Sequence, residues 1–285
     1  MTGKFKAACV QVTAGRELAP NIEKAVTLGR AARALGADLI AYPENATMIE
    51  PIGAEAVRKA LPETEHPAIP AFRALARETG AWILAGSLSI SAGERKYANR
   101  SLLFDAAGNV VARYDKLHLF DVDLAGGERY RESERIAPGD RAVVAPTPWG
   151  LLGMTICYDV RFPQLYRALA KAGAVMFTVP AAFTEQTGRA HWHILNRARA
   201  IECGAFVIAP AQRGTHAEGR RTFGHSLIVD PWGEVLAEGG ESEGVIVAEI
   251  DPAKSAEARR RIPSLQHDRP FMEPAASEQS KDAAE

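Results

Sequence analysis

Strand-like apolar runs alternate with amphipathic helical segments along most of this chain, and no other feature of the sequence restricts the fold so strongly. Spacing and turn signals predict strands over 5–12, 38–42, 82–89, 101–105, 110–114, 151–156, 174–179, 205–211, 226–229, 234–238 and 244–250. Helical periodicity predicts helices over 21–35, 70–79, 163–172 and 190–202. Helices that alternate with strands, with several hairpins included, indicate an α/β domain with a mixed sheet.

The chain is predicted to fold as one domain. No linker, composition break or internal repeat divides its 285 residues, and a hydrophobic content of 47% is enough for a deep core. Residues 121–140 predict a polar loop within this domain. Residues 273–285 are polar and rich in Ala, Ser and Glu, so we predict a domain over 1–272 followed by a disordered tail.

Charge and hydropathy argue against two classes of function. With 34 basic and 35 acidic residues, the net charge of −1 does not suit a protein that binds duplex nucleic acid through a general basic face. No apolar stretch approaches the roughly 18–20 residues that a membrane helix needs, and the N-terminus lacks the apolar core of a secretory signal. Three widely spaced cysteines without a CxxC pair indicate reduced thiols, so we predict a cytoplasmic protein.

Cys157 is a candidate nucleophile because of its place in the chain. It follows an apolar strand, and a helix begins shortly afterwards at Pro163, a residue favoured at a first helical position. A strand-to-helix turn can expose a thiol to open backbone N–H groups, which can also bind an oxyanion. The alternative is that Cys157 is a small buried hydrophobic residue, and that interpretation is preferred for Cys9 and Cys203, which lie inside apolar runs.

A cysteine nucleophile needs a base, and several residues could supply it. His225 lies near a strand start and would give a Cys/His pair, although nothing in its local sequence singles it out. Glu44 and Lys116 are unusual because each stands at the end of an apolar strand, where an unpaired charge is costly to bury. Charges at strand ends are often solvated, but together these residues suggest one buried site assembled from three strand ends.

Three motifs resemble the signature blocks of the nitrilase, or carbon–nitrogen hydrolase, superfamily. They are the blocks Tyr-Pro-Glu-Asn around Glu44, Tyr-Asp-Lys-Leu-His-Leu-Phe around Lys116 and Thr-Ile-Cys-Tyr-Asp-Val-Arg-Phe-Pro around Cys157. Their order and separation fit the family as well. The resemblance implies a single-domain four-layer α-β-β-α sandwich, no metal or organic cofactor, and a homodimer or a larger homo-oligomer.

The resemblance also implies a chemistry for the three residues. Glu44 would act as general base and then general acid, and Cys157 would form a thioester. Lys116, with the backbone N–H of Tyr158, would stabilise the oxyanion. Glu132 in Tyr-Arg-Glu-Ser matches an additional family glutamate that positions the lysine or the substrate, although it could also be a surface charge. Either glutamate could activate the water.

Downstream segments resemble the branch of this family that contains omega-amidases and deaminated glutathione amidases. The similar stretches lie at 181–188, 190–192, 197–202 and 211–226. Such a resemblance implies a small anionic carboxamide substrate, such as an amide of a keto acid, and therefore a cation that binds its carboxylate. Arg161 is the first candidate, with an ion pair to Asp159 or another acid as the alternative interpretation. Other candidates in the later loop are Arg213, Arg220 and Arg221.

Other functions of the same fold remain open at this point. A nitrilase or an N-carbamoyl-amine hydrolase would differ only in its pocket, and a non-catalytic binding scaffold would have no reason to keep the three site residues. His191 and His193 could suggest a metal pair, but the segment predicts a helix, on which residues two apart point in different directions. Because no cysteine or acidic partner completes a ligand set, no metal is predicted.

Overall fold

The computed structural model describes residues 3–272, so the predicted tail at 273–285 lies outside the described residues. The strands, in chain order, are β1 (Phe5–Gln11), β2 (Leu39–Ala41), β3 (Trp82–Leu84), β4 (Leu88–Ser91), β5 (Tyr97–Phe104), β6 (Val110–Asp115), β7 (Asp121–Asp123), β8 (Arg129–Arg131), β9 (Ile136–Ala137), β10 (Val143–Thr147), β11 (Gly150–Met154), β12 (Ala174–Thr178), β13 (Phe206–Ala209), β14 (Arg213–Thr215), β15 (Arg221–Phe223), β16 (Leu227–Val229), β17 (Val235–Glu238) and β18 (Gly244–Ile250). The helices are α1 (Leu18–Ala34), α2 (Ala54–Lys59), α3 (Ala68–Thr79), α4 (Pro163–Lys171), α5 (Glu185–Cys203) and α6 (Ala253–Arg261).

Two mixed sheets form the centre of the domain. The first has the strand order β18-β1-β2-β3-β5-β4, with β6 and β9 also paired to β5. The second has the order β10-β11-β12-β13-β16-β17. Parallel pairs, such as β1 with β2 and β11 with β12, occur beside antiparallel pairs in both sheets, which confirms the predicted mixed character.

Alternating residues of the inner strands show how the layers stack. On β1, Ala7 and Cys9 pack in one core with residues of the second sheet, including Met154 on β11. Their neighbours Ala8 and Val10 point the other way, into a core shared with α1 and α3. Because side chains alternate across a strand, one sheet contacts a second sheet on one face and helices on the other.

The second sheet is covered in the same way. Residues of α4 and α5, among them Tyr166 and Trp192, are buried against it and belong to the core that the two sheets share. The layers are therefore helix, sheet, sheet and helix, which confirms the predicted α-β-β-α sandwich. No helix within residues 3–272 has the length and apolar character to cross a membrane.

The prediction of one strand over 82–89 is wrong, and Gly86 explains why. Gly86 adopts φ +69°, and a Cβ at this position would lie 2.0 Å from the carbonyl oxygen of Pro43. Only glycine permits this left-handed turn at such a close approach, so the chain forms two strands, β3 and β4, on either side of it. Ser87 then accepts a hydrogen bond of 2.9 Å from the backbone N–H of Asn45, which holds the loop that carries Glu44.

The prediction of a plain polar loop over 121–140 is also wrong. Strands β7 and β8 form a two-stranded hairpin there, and β9 adds to the first sheet. Between β8 and β9 lies a short 3-10 turn, Glu132–Glu134. The sequence patterns also missed α2, α6, β10 and the hairpin of β14 with β15. These elements are short or strongly polar, so periodicity gives little signal for them.

Candidate active site

Glu44, Lys116 and Cys157 come together at one end of the sandwich and line the same cavity. Glu44 follows β2 and Lys116 follows β6, both in the first sheet, whereas Cys157 follows β11 in the second sheet. All three residues are buried, with exposed fractions of 2%, 1% and 8%. The site is therefore built across the gap between the two sheets.

The ammonium group of Lys116 is bound by two carboxylates. Its Nζ lies 2.9 Å from Oε1 of Glu44, and 3.0 Å and 2.8 Å from Oε1 and Oε2 of Glu132. Oε2 of Glu132 also accepts a 2.8 Å hydrogen bond from the backbone N–H of Phe120. A buried lysine remains charged when such partners surround it, so the cavity contains a fixed positive charge.

Glu44 is held by further hydrogen bonds. The side-chain amide of Asn99 donates to its Oε1 at 2.8 Å, and the backbone N–H of Ala182 donates to its Oε2 at 2.9 Å. The side chain of Gln212 donates to the backbone carbonyl oxygen of Glu44 at 3.1 Å. The carboxylate therefore has one orientation, with Oε1 toward Lys116 and Oε2 toward the segment that contains Ala182.

Cys157 begins a 3-10 turn, Cys157–Arg161, and its backbone is strained. Its φ of +50° lies in the left-handed region, which non-glycine residues seldom adopt and which often marks a functional position. Its backbone N–H donates to the carbonyl oxygen of Pro180 at 2.9 Å. This turn directs the thiol into the cavity that Glu44 and Lys116 line.

Asp159 connects the turn that carries Cys157 to the segment that carries Lys116. It is fully buried; its Oδ2 accepts hydrogen bonds from the Tyr114 hydroxyl at 2.7 Å and the Ile156 N–H at 2.8 Å. Its Oδ1 accepts from the His118 N–H at 3.1 Å and lies 2.7 Å from His118 Nδ1. Tyr114 and His118 flank Lys116 in sequence, so this carboxylate fixes the nucleophile and the lysine relative to each other.

The three central groups shift one another's acidity. Burial raises the pKa of Glu44, but the charge and hydrogen bond of Lys116 lower it below its ordinary value. Burial lowers the pKa of Lys116, and the charges of Glu132 and Glu44 raise it well above the usual range. Burial and the charge of Glu44 raise the pKa of the Cys157 thiol, against the opposing charge of Lys116. At neutral pH the resting site therefore contains a thiol, a carboxylate and an ammonium group.

Comparison with known proteins agrees with this geometry. The carbon-nitrogen hydrolase family model matches residues 6–260. The chain belongs to the carbon-nitrogen hydrolase family. It is 42% identical, over 92% of its length and 97% of theirs, to proteins named deaminated glutathione amidase from Synechocystis. It is 34% identical to an omega-amidase of Xenopus tropicalis, over 91% of this chain and 93% of that one.

A solved structure supports the same assignment. The C. elegans NitFhit protein superposes with a TM-score of 0.86 at 36% identity, over 94% of this chain and 66% of that one. The resemblance seen in the three motifs is thus confirmed, and the chain is an amide-hydrolysing carbon-nitrogen hydrolase rather than a non-catalytic scaffold.

The remaining predicted site residues of this carbon-nitrogen hydrolase lie in different places. Glu132 and Tyr158 line the catalytic cavity. The backbone N–H of Tyr158 donates to no backbone acceptor in the part of the chain that the structure describes. Arg161 is not among the residues that line the cavity, but its guanidinium lies 5.8 Å and 5.4 Å from the ring centres of Tyr158 and Phe183, which do.

The suggested ion pair of Arg161 with Asp159 is not formed. Asp159 binds Tyr114 and His118 instead, and Nη2 of Arg161 lies 3.2 Å from Nδ1 of His191. Of the arginines in the later loop, Arg220 lines the catalytic cavity. Arg213 lines a separate cleft beside β14 and β15, and Arg221 lines both that cleft and a larger cavity that also contains Arg220.

Two histidine interpretations change with the structure. His225 lies outside the catalytic cavity, and its Nδ1 is 2.7 Å from Oε1 of Glu238, so it does not contact Cys157. His193 reaches the same oxygen at 3.1 Å, and the donor atoms of the three side chains lie within 4.8 Å of one another. The argument that no acidic partner stands near His193 was therefore wrong, because Glu238 is remote only in sequence.

Sequence reasoning missed Asn99, Asp159 and the Ala182 N–H as parts of this site. Asn99 is a buried polar residue inside the otherwise largely apolar strand β5, and that anomaly was a readable signal. The sequence suggests Asp159 only as a possible ion-pair partner of Arg161. The Ala182 N–H carries no sequence signal, because any residue except proline supplies a backbone N–H.

Proposed function

We propose that this hydrolase cleaves the C–N bond of a small anionic carboxamide through a thioester on Cys157. The proposal rests on one observation. The ammonium group of Lys116 binds the carboxylates of Glu44 and Glu132, next to the buried thiol of Cys157. Two of the relatives are a deaminated glutathione amidase and an omega-amidase, and these names support the substrate class. No step of the proposed reaction requires a metal or an organic cofactor.

In the first half of the reaction, Glu44 removes the proton from Sγ of Cys157 as sulfur bonds to the amide carbon. The carbonyl electron pair moves to oxygen, and this oxyanion is bound by Nζ of Lys116 and the N–H of Tyr158. Preorganised donors of this type contribute about 3–4 kcal/mol to the transition state. Glu44 then gives its proton to the nitrogen as the C–N bond breaks, which releases the amine and leaves the thioester.

In the second half, water attacks the thioester. Glu44 takes a proton from the water, the C–S bond breaks, and the proton returns to sulfur as the acid leaves. Glu44 is preferred over Glu132 for this step because the carboxylate of Glu44 is hydrogen bonded to the side chain of Cys157, whereas both oxygens of Glu132 bind Lys116. Glu132 is therefore proposed to orient Lys116 and to help keep it charged.

Arg161 is proposed to bind the carboxylate on the acyl half of the substrate. Its guanidinium lies against Tyr158 and Phe183 at the edge of the cavity, and within residues 3–272 it forms no ion pair with a carboxylate. A guanidinium that can bind a carboxylate with two parallel hydrogen bonds suits this role.

Mass spectrometry of the intact protein tests the chemistry. Incubation with a keto-acid amide should give a mass increase equal to the acyl group, localised to Cys157, and Cys157→Ala should show none. Ammonia release from the keto-acid amide, a nitrile and an N-carbamoyl amine should be fastest for the first. Faster turnover of the nitrile or the carbamoyl compound would instead identify a nitrilase or an N-carbamoyl-amine hydrolase.

We also propose that the protein forms a homodimer or a larger homo-oligomer. Ile194 and Ile201, seven residues apart on one face of α5, are 69% and 52% exposed. Trp232 is 56% exposed, and it precedes Gly233, which packs against Ile201. Such a group of exposed apolar side chains suits a second copy of the chain. Light scattering on wild type and Ile194→Glu tests this, because the variant should have a smaller assembly mass.

The proposed location is the cytoplasm. Cys9, Cys157 and Cys203 are all free thiols in this structure. Free thiols are typical of the cytoplasm, where glutathione and thioredoxin keep them reduced. Cell fractionation of the native host would test this, and recovery in an extracytoplasmic fraction would contradict it.

A further inference from the structure

A second, larger cavity, called the outer cavity here, shares the residue Arg220 with the catalytic one. Its volume is about 660 Å³, within the range of sites for small molecules. The catalytic cavity has only about 10 Å³ of free space, roughly what one water molecule needs. Arg220 lines both cavities. Arg220 is therefore placed to contact a substrate that is longer than its scissile group and extends toward the outer cavity.

Four arginines line the outer cavity, and three of them form ion pairs. These pairs are Arg129 with Asp123 at 3.5 Å, Arg131 with Asp123 at 2.6 Å, and Arg221 with Glu185 at 2.7 Å. Arg220, the fourth, has no carboxylate within ion-pair distance among residues 3–272. Within residues 3–272, Arg220 is thus the arginine of the outer cavity that forms no ion pair, although its charge acts on the nearby carboxylate of Glu44.

The contacts of Arg220 leave part of its guanidinium available. Nη2 donates to the carbonyl oxygen of Ala182 at 3.2 Å, and the guanidinium carbon lies 5.5 Å from the ring centre of Tyr130. Its Nε is buried and has no hydrogen-bond partner among residues 3–272. A buried N–H without an acceptor is unfavourable, so the fold does not fully satisfy this side chain, and an anionic ligand would pair with its charge.

The position of Arg220 relative to Glu44 indicates which half of the substrate it faces. The carbonyl oxygen of Ala182 accepts from Arg220, and the N–H of the same residue donates to Oε2 of Glu44. In the proposed mechanism Glu44 protonates the departing nitrogen. Arg220 is thus linked through one residue to the carboxylate that must reach the departing nitrogen, whereas Arg161 lies on the turn of Cys157, which bonds to the acyl carbon.

We propose that the outer cavity binds the departing half of the substrate and that Arg220 binds a carboxylate on that half. This inference rests on the proposed amidase function and adds a specificity residue to it: when the departing amine is a short peptide that ends in a carboxylate, Arg220 is the group that binds that carboxylate. Deaminated glutathione is such a substrate because its departing group is cysteinylglycine. 2-Oxoglutaramate has the same acyl group but releases only ammonia, so it cannot use the outer cavity.

Three substrates with one acyl group test the assignment. They are deaminated glutathione, its analogue with a terminal glycinamide in place of glycine, and 2-oxoglutaramate. Release of 2-oxoglutarate gives kcat/KM for wild type, Arg220→Ala and Arg220→Gln; the glutamine variant keeps a donor toward Ala182 but removes the charge. Arg189→Ala is the matched control, because Arg189 is an exposed arginine paired with Glu185 outside both cavities.

Wild type should prefer deaminated glutathione over the glycinamide analogue by about 10- to 100-fold, the effect of one charge-assisted interaction. Both Arg220 variants should lose about that factor for deaminated glutathione and less than about threefold for the other two substrates. Arg189→Ala should resemble wild type with all three.

Each contrary result has a distinct meaning. An equal loss of kcat/KM for all three substrates would mean that Arg220 acts on the acyl group or on the reaction itself, and it would overturn the assignment. An unchanged kcat/KM for deaminated glutathione in both variants would overturn it as well. Failure of the wild type to hydrolyse any of the three substrates would contradict the proposed function itself, and that measurement needs no variant.

Discussion

Replacing Lys116 by methionine should destabilise the fold at neutral pH, mainly by leaving buried carboxylates unpaired. The variant removes an ammonium group 2.9 Å from Glu44 and 2.8 Å from Glu132, on a side chain that is 1% exposed. Methionine preserves much of the apolar stem. Breaking a buried ion pair by removing one partner costs about 3–5 kcal/mol, so we expect the free energy of unfolding to fall by that amount.

The loss should shrink as the pH falls. In wild type, burial raises the pKa of Glu44 but Lys116 lowers it below its ordinary value, so the carboxylate stabilises the fold above its unfolded pKa and loses that contribution on acidification. In the variant, burial acts without the lysine, and the pKa of Glu44 should lie above the unfolded value of about 4.3. Protonation then favours the folded state. The free energy of unfolding of the variant should therefore approach that of wild type as the pH falls from about 7.5 to about 5.5.

Urea unfolding followed by tryptophan fluorescence at both pH values measures this. Lys59→Met is the matched control: Lys59 lies 2.9 Å from the buried carboxylate of Glu50, but Arg16 also binds that carboxylate and remains as its partner. The control should lose about 1 kcal/mol or less at both pH values. If Lys116→Met lost equal stability at both, the damage would be to packing and the electrostatic reasoning would be refuted.

Three further substitutions test the site. Cys157→Ala should abolish amide turnover while its melting temperature stays within a few degrees of wild type, because the sulfur lies at a turn beside a cavity. Ammonia release above background would contradict the role of Cys157 as the nucleophile. Lys116→Arg should lose at least about 100-fold in kcat, since a forked guanidinium occupies space that the substrate oxygen needs, and near-normal kcat would mean that only long-range charge matters. Gly86→Ala should lower both activity and melting temperature, because its Cβ would lie 2.0 Å from the Pro43 oxygen next to Glu44; an unchanged kcat would show that this approach does not position the glutamate.

The contacts of the arginine and histidine residues could not be predicted from the sequence. Among the described residues, the arginine that lines the catalytic cavity is Arg220, which the sequence offers only as one of several candidates from the loop. Sequence could not separate it from Arg221, because adjacent residues differ here in which carboxylate lies within reach. The same limit applies to His193 and Glu238, which are 45 positions apart in sequence but hydrogen bonded in space.

The sequence by itself determined the α/β class, most strand positions and the identity of Glu44, Lys116 and Cys157 as candidates. Periodicity and strand-end charges are local features, so they are readable along the chain. Only the tertiary structure decided that Glu132 contacts Lys116, that Asp159 joins the two loops, and that Arg220 forms no ion pair within residues 3–272. These are distances between residues far apart in sequence, and burial makes them decisive because an enclosed charge must find its partner within the fold.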